Sequence, residues 1–254
     1  MSLEHLYKAV NWTNRNIPFV VNRPIIEYDM RRAGLSVIKE FELLPQDKIQ
    51  KLDEMEKHKS DVTIGKMRKK DKDFSKRFGE AMTKARKLFI DANRLEEPDI
   101  ISIKNDAFFV IGECMKREFG FIEFRPKNTY TSFINLDRIE FYYNSQRMDV
   151  KGLGDDVLRN QEDYWITSIQ KFMRLIETGT KAEVLLYMKH LVDAYKALEL
   201  PGAYYKEFSV QDKYRTLEGD LYGEYWEDRK EDLDISYNYE HVVLPLVLLG
   251  MKYE

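Results

Sequence analysis

Near the middle of the chain, Ile100 to Gly112 reads IISIKNDAFFVIG. Two runs of β-branched and aromatic residues flank a polar Lys-Asn-Asp, which is the pattern of two strands joined by a tight turn. A turn this short forces the strands to be antiparallel neighbours and puts Asp106 at the end of the pair. A second apolar run lies upstream in IIEYDMRRAGLSVI, where alternation ends on Asp29 and helical spacing begins. In one sheet, Asp29 and Asp106 would both stand at strand ends. Taken singly, each is an ordinary turn residue.

The chain has 254 residues, enough for one large domain or two small ones. Its formal net charge of -3 conceals an asymmetry. From Lys66 to Phe89 there are ten Lys/Arg against three acids, whereas Glu207 to Glu240 carries eleven acids against four bases. A basic middle suits a polyanion and an acidic tail suits a protein partner, although a basic run is also simply a solvated helix. The single Cys114 rules out a disulfide framework or a Cys-based zinc site within one chain. His5, His58, His190 and His241 lack ligand spacing. No apolar run approaches the roughly 20 residues of a membrane span, and no signal-peptide pattern opens the chain. The expectation is a cytoplasmic protein, with no membrane partner.

Residues 1 to 18 suggest a short helix and lead-in, and Phe19 to Asp29 a strand interrupted near Pro24. Leu35, Ile38, Phe41 and Leu44 share one face of a helix that should stop before Pro45. From 46 to 93 the apolar residues recur at helical intervals, Phe74, Phe78, Met82, Ala85 and Phe89 among them, predicting two helices joined around Ser60 to Gly65. The second is basic, with Lys72, Lys76, Lys84, Arg86 and Lys87 available to phosphates. After Gly112, strands are expected over 119–124, 130–134, 138–143 and 147–150, with a turn at Pro126-Lys127-Asn128. They form an antiparallel meander completing the sheet begun at residue 19. Beyond Gly154, Val157 to Ile176 marks a helix closed by Gly179, and Thr180 to Glu183 forms a capping box for another. The stretch 202–239 is acidic and Tyr-rich, and Val242 to Leu249 reads as a strand or a helix. The fold class is α+β, with a first domain over 1–154 carrying the helical insertion at about 46–93 and a helical second domain over 155–254.

Three stretches, in this order, are similar to motifs of B-family, template-dependent DNA polymerases. Asp29-Met30-Arg31-Arg32-Ala33-Gly34-Leu35-Ser36-Val37-Ile38 resembles the first catalytic motif, where an Asp ends a strand and a Ser-Ile-Ile-like run follows; Ser36 falls at the matching serine. Lys104-Asn105-Asp106-Ala107-Phe108-Phe109-Val110 is similar to the second, normally Asp-Thr-Asp-Ser and three apolar residues, with Asp106 on the second Asp. Tyr142-Tyr143, Asn144-Ser145 and Met148 to Gly152 look like the hairpin and Lys-Gly pair leading into the thumb. Two departures stand out. Lys104 replaces the first Asp of the second motif, and Gly34 stands where a bulky aromatic excludes ribonucleotides.

The resemblance covers about 20 to 175 and implies a palm-like antiparallel sheet, a fingers-like basic insertion and a thumb-like helical C-terminal part. It implies a compact phage or mobile-element enzyme without an exonuclease region, binding nucleoside triphosphates and a primed template. Asp29 and Asp106 would be the catalytic metal ligands, with Glu27 nearby. Mg²⁺ or Mn²⁺ would lower the pKa of a primer hydroxyl and neutralise the triphosphate. Lys72, Lys76 and Gly34 would meet the nucleotide, Lys151 and Arg138 the duplex backbone, and Tyr142 the primer end. The alternative is a non-catalytic relative, a nucleic-acid-binding or replication or virion assembly protein, docking partners through the acidic C-terminal region. A third possibility is a plain α+β protein in which both aspartates only shape turns.

Overall fold

The computed structural model describes residues 3–206, 208 and 238–252. It is α+β, with two antiparallel sheets and helices grouped in two compact units. Most of the acidic Tyr-rich stretch lies outside the described residues.

The first unit comprises residues 1–17 and 24–129. Helix α1 (Glu4–Lys8) and strand β1 (Asn11–Thr13) lead in. Strand β3 (Ile25–Met30) runs into α2 (Ala33–Glu40), followed by α3 (Gln46–Asp53), α4 (Lys57–Lys70) and α5 (Lys72–Ala92). Strands β4 (Ile100–Lys104), β5 (Ala107–Ile111), β6 (Glu118–Phe119) and β7 (Ile122–Tyr130) complete a six-stranded sheet of order β1-β4-β5-β3-β7-β6. The apolar stripe of α5 recurs at three- and four-residue spacing, Ala81, Ala85 and Phe89 packing on the sheet and Phe74 and Phe78 against α2, α3 and α4. Phe89 sits among Tyr28, Phe108 and Phe124, with ring centroids 4.4 to 5.4 Å away.

The insertion holds three helices where the sequence suggests two. Ser60 to Gly65 lies inside α4, and the break falls at Asp71, whose side chain accepts from the Phe74 N–H and caps α5. The turn expected at Pro126 to Asn128 is also displaced, since those residues lie within β7. The chain reverses at Gly120 instead. There φ is +59°, and the next N–H, of Phe121, donates to Glu40 Oε2 at 2.7 Å.

The second unit comprises 18–23 and 130–254. Strands β2 (Phe19–Val20), β8 (Ser132–Leu136), β9 (Ile139–Asn144) and β10 (Arg147–Lys151) form a four-stranded sheet of order β10-β9-β8-β2. The expected meander exists and does join residue 19, through Phe19 opposite Ile134, but it is a sheet of its own. Residues 132–151 therefore group with the C-terminal helices, whereas the sequence division at 154 sets them with the first domain. Pro24 marks the point where the extended run from Phe19 to Asp29 passes from one sheet to the other.

Helices α6 (Asp155–Gln161) and α7 (Thr167–Thr178) flank a π-helical turn at Glu162–Ile166, and α8 (Lys181–Lys196) and α9 (Leu244–Lys252) follow. Val242 to Leu249 is thus helical, continuing a π-helical turn at Tyr239–Val243 into α9. Their apolar faces close on Phe141, Trp165, Phe172 and Tyr195, all fully buried. Gly179 follows α7 as expected but with φ -89°, not left-handed. Glycine is needed there because a Cβ would lie 2.7 Å from the Leu175 carbonyl oxygen.

Candidate functional site

Register places the two aspartates. In β3, Asp29 stands opposite Ala107 of β5, and the Met30 N–H donates to the Asp106 carbonyl at 3.1 Å. Asn105 takes a φ of +55°, so that Asn105 and Asp106 make the two-residue turn between β4 and β5. The carboxyl groups are close enough to feel each other. Burial raises the Asp106 pKa, the Asp29 charge raises it further, and Lys57 and Lys127 pull it back.

Lys104, Ala107 and Asp29 form a cross-strand row on one face of the sheet. The Lys104 ammonium turns the other way, donating to Asn11 Oδ1 at 3.0 Å and Thr13 Oγ1 at 3.1 Å on β1. Glu27, two residues before Asp29 on the same face, is buried with Lys127 Nζ at 3.4 Å and accepts from Asn128 Nδ2. Its carboxylate is thereby held toward β7. Among the described residues no group of three His, Cys, Asp or Glu is placed to hold a metal ion.

Arg86 of α5 approaches the same turn from the helical side. It is 4% exposed and donates from Nε to the Asn105 carbonyl at 3.3 Å and from Nη1 to the Tyr7 carbonyl at 3.2 Å. Burial lowers its pKa, and the Asp106 charge opposes that shift. Beside it a pocket of about 440 Å³ is lined by Gly34, Ile64, Arg68, Phe78, Arg86 and Asp106, among others. Gly34 lines this pocket and has a packing reason to be glycine, since a Cβ would lie 3.2 Å from Ile64 Cδ1.

Lys72 and Lys76 are exposed at the start of α5. At 1.5 Å per residue they lie roughly 21 and 15 Å along the helix from Arg86, so the structure does not bring them to Asp106. Lys84 lies over the Phe41 ring, and Lys87 bridges Asp91 and the Tyr7 ring. Arg86 touches the turn, and the charges of Lys57 and Lys127 act on Asp106 from farther off. Arg86 carried a readable signal: it sits eight residues after Phe78 and three before Phe89, a charge at the edge of an apolar stripe.

In the second unit Tyr142 is fully buried, stacked near Tyr130 and Phe133 at 5.3 and 4.9 Å, with its hydroxyl donating to Glu140 at 2.8 Å. The structure thus places Tyr142 in the interior, on the face of β9 opposite Phe141 and Tyr143, in a strand buried on both faces. Arg138 is exposed in the β8–β9 turn. Lys151 ends β10 opposite Glu140, so the two cations share one end of this sheet.

The structure defines a two-unit, antiparallel α+β protein with paired carboxylates at adjacent strand ends. The chain belongs to the family described as Bacteriophage PBS1 gene 130 protein, whose model matches residues 1–243. It is thus a phage-type protein. No curated protein matches the chain. Among the described residues no helix is long and apolar enough to cross a membrane.

Proposed function

We propose that the first unit carries out template-dependent nucleotidyl transfer of the DNA-polymerase type, with Asp29 and Asp106 as ligands of a divalent cation. The observation that supports this reading is the register of β3 against β5, in which Asp29 stands opposite Ala107, the residue after Asp106, at one sheet end. Burial first and the Asp29 charge second raise the Asp106 pKa, and a bound cation would offset both. Two carboxylates suit Mg²⁺ or Mn²⁺, which completes its shell with water and substrate phosphates. When bound, the ion would activate a primer hydroxyl and neutralise leaving-group charge. The basic face of α4 and α5 would track the nucleic-acid backbone without reading sequence.

The test is primer extension on a primed template with Mg²⁺ or Mn²⁺, comparing the native chain with Asp106→Asn. Extension by the native chain and its loss in the variant is the expected result; no extension by the native chain defeats the catalytic reading. One observation favours a second reading, in which the protein binds nucleic acid and aids replication or virion assembly without turnover: Lys104 is tied to β1 and Glu27 to Lys127 and Asn128, leaving two carboxylates at the site. Retarded migration of a primed duplex at low salt, with no extension, would select it.

A further inference from the structure

The pocket beside Arg86 belongs wholly to the first unit and shares Asp106 with the carboxylate pair, but most of its other lining residues are cationic, apolar or glycine. Its walls come from α2, α4, α5 and the β4–β5 turn, with Lys8 and Val10 at the end of α1 and just after it. Three glycines line it, and two of them, Gly65 and Gly79, sit inside helices where an added Cβ would meet nothing within 4 Å. A helix-interior glycine is unfavourable relative to alanine, so their smallness keeps space open at a cost to each helix.

Arg86 is more than nine-tenths buried, yet among the described residues only two backbone carbonyls bond it, and no carboxylate lies within 4.0 Å. A buried guanidinium that touches only carbonyls, with Asp106 acting on it from beyond ion-pair distance, can still take a directly bonded anion. Helix α2 adds to it. Arg32 precedes that helix in the left-handed region without a side-chain cap, and Ala33 and Gly34, whose N–H groups lack intrahelical acceptors, line the pocket. Ile64 and Met82 give the pocket an apolar side, Arg68 lies over the Phe78 ring at 4.5 Å and adds a second guanidinium, and Asp61 and Asp106 among the lining residues disfavour a bare anion and favour one carrying hydroxyl or amino donors.

We propose that this pocket binds a small phosphorylated ligand of nucleotide size, its phosphate against Arg86 and the start of α2 and its ring on the apolar side. The volume falls within the roughly 300–1,000 Å³ of small-molecule sites. The site needs no metal and does not rest on the nucleotidyl-transfer reading.

Calorimetric titration of the full chain with ATP, ribose 5-phosphate and inorganic phosphate, all in EDTA, tests it. Because a chelator is present throughout, a negative result leaves the metal reading untouched. Saturable ATP binding is expected, weaker by about tenfold or more in both Gly79→Leu and Arg86→Met. Gly79→Leu should melt no lower than the native chain, which separates a filled pocket from a misfolded one. Absence of saturable binding by ATP, unchanged ATP affinity in Gly79→Leu, or inorganic phosphate binding as tightly as ATP would each overturn the proposal.

Discussion

At Asp106, burial and a like charge act in the same direction. Both raise the carboxyl pKa in the folded chain above its unfolded value, so the folded state holds this proton more tightly. Stability is then lost as pH rises from the unfolded pKa through the folded one, and the loss persists above it. Asp106→Asn is expected to raise the melting temperature at pH 7, with the gain vanishing toward pH 3, which thermal melts at the two pH values check. Cys114 gives a second residue-scale test. It is 1% exposed and burial pushes its thiol up to about 12. A thiol reagent at pH 8 is expected to react only as fast as the chain unfolds, and at once in denaturant. Asp29 and Asp106 were legible because alternation stops abruptly at both, and register then did the rest. Tyr142 was not: an aromatic in a short strand reads alike whether its ring points out or in, and only the sheet's packing decides.

Glycine positions separate elements whose sequences look equivalent. Gly65→Ala has open space and should stabilise α4 by about 0.5–1 kcal/mol, whereas Gly179→Ala drives a Cβ against the Leu175 carbonyl and should destabilise. Chemical denaturation of the two variants side by side checks the opposite signs. The box at the start of α8, where the Glu183 N–H donates to Thr180 Oγ1 at 3.3 Å and the Thr180 N–H to Glu183 Oε2 at 2.7 Å, is expected to cost about 1 kcal/mol when Thr180 becomes Ala. That box and the strands β4, β5, β9 and β10 were readable from local patterns, whereas β8 runs two residues later than the expected 130–134. The helix break at Asp71 and the turn at Gly120 were not. Gly65 resembled a stop only because nothing local reveals a cavity beside it, and Pro126 resembled a turn although β7 carries it.

At the scale of the whole molecule, the alternation of sign along the chain was plain, and the grouping of strands was hidden. Helices α4 and α5 with their linking Asp71 carry twelve Lys/Arg against five acids, within a chain of net charge -3. If that face holds nucleic acid, log K should fall linearly with log salt, with a slope near -0.9 for each phosphate neutralised, measurable by titrating a labelled duplex at several salt concentrations. The division of strands between two sheets depends on pairings across more than a hundred residues, which no local window contains. Phe19-Val20 pairs with Phe133 and Ile134, while the residues on either side of 18–23 belong to the other unit. During synthesis this segment leaves the ribosome long before its partner strand exists, so the earlier unit must fold around a stub reserved for later. A gene fragment that begins at codon 130 would encode a sheet with β8 uncovered along one side, a product suited to inclusion bodies rather than to solution.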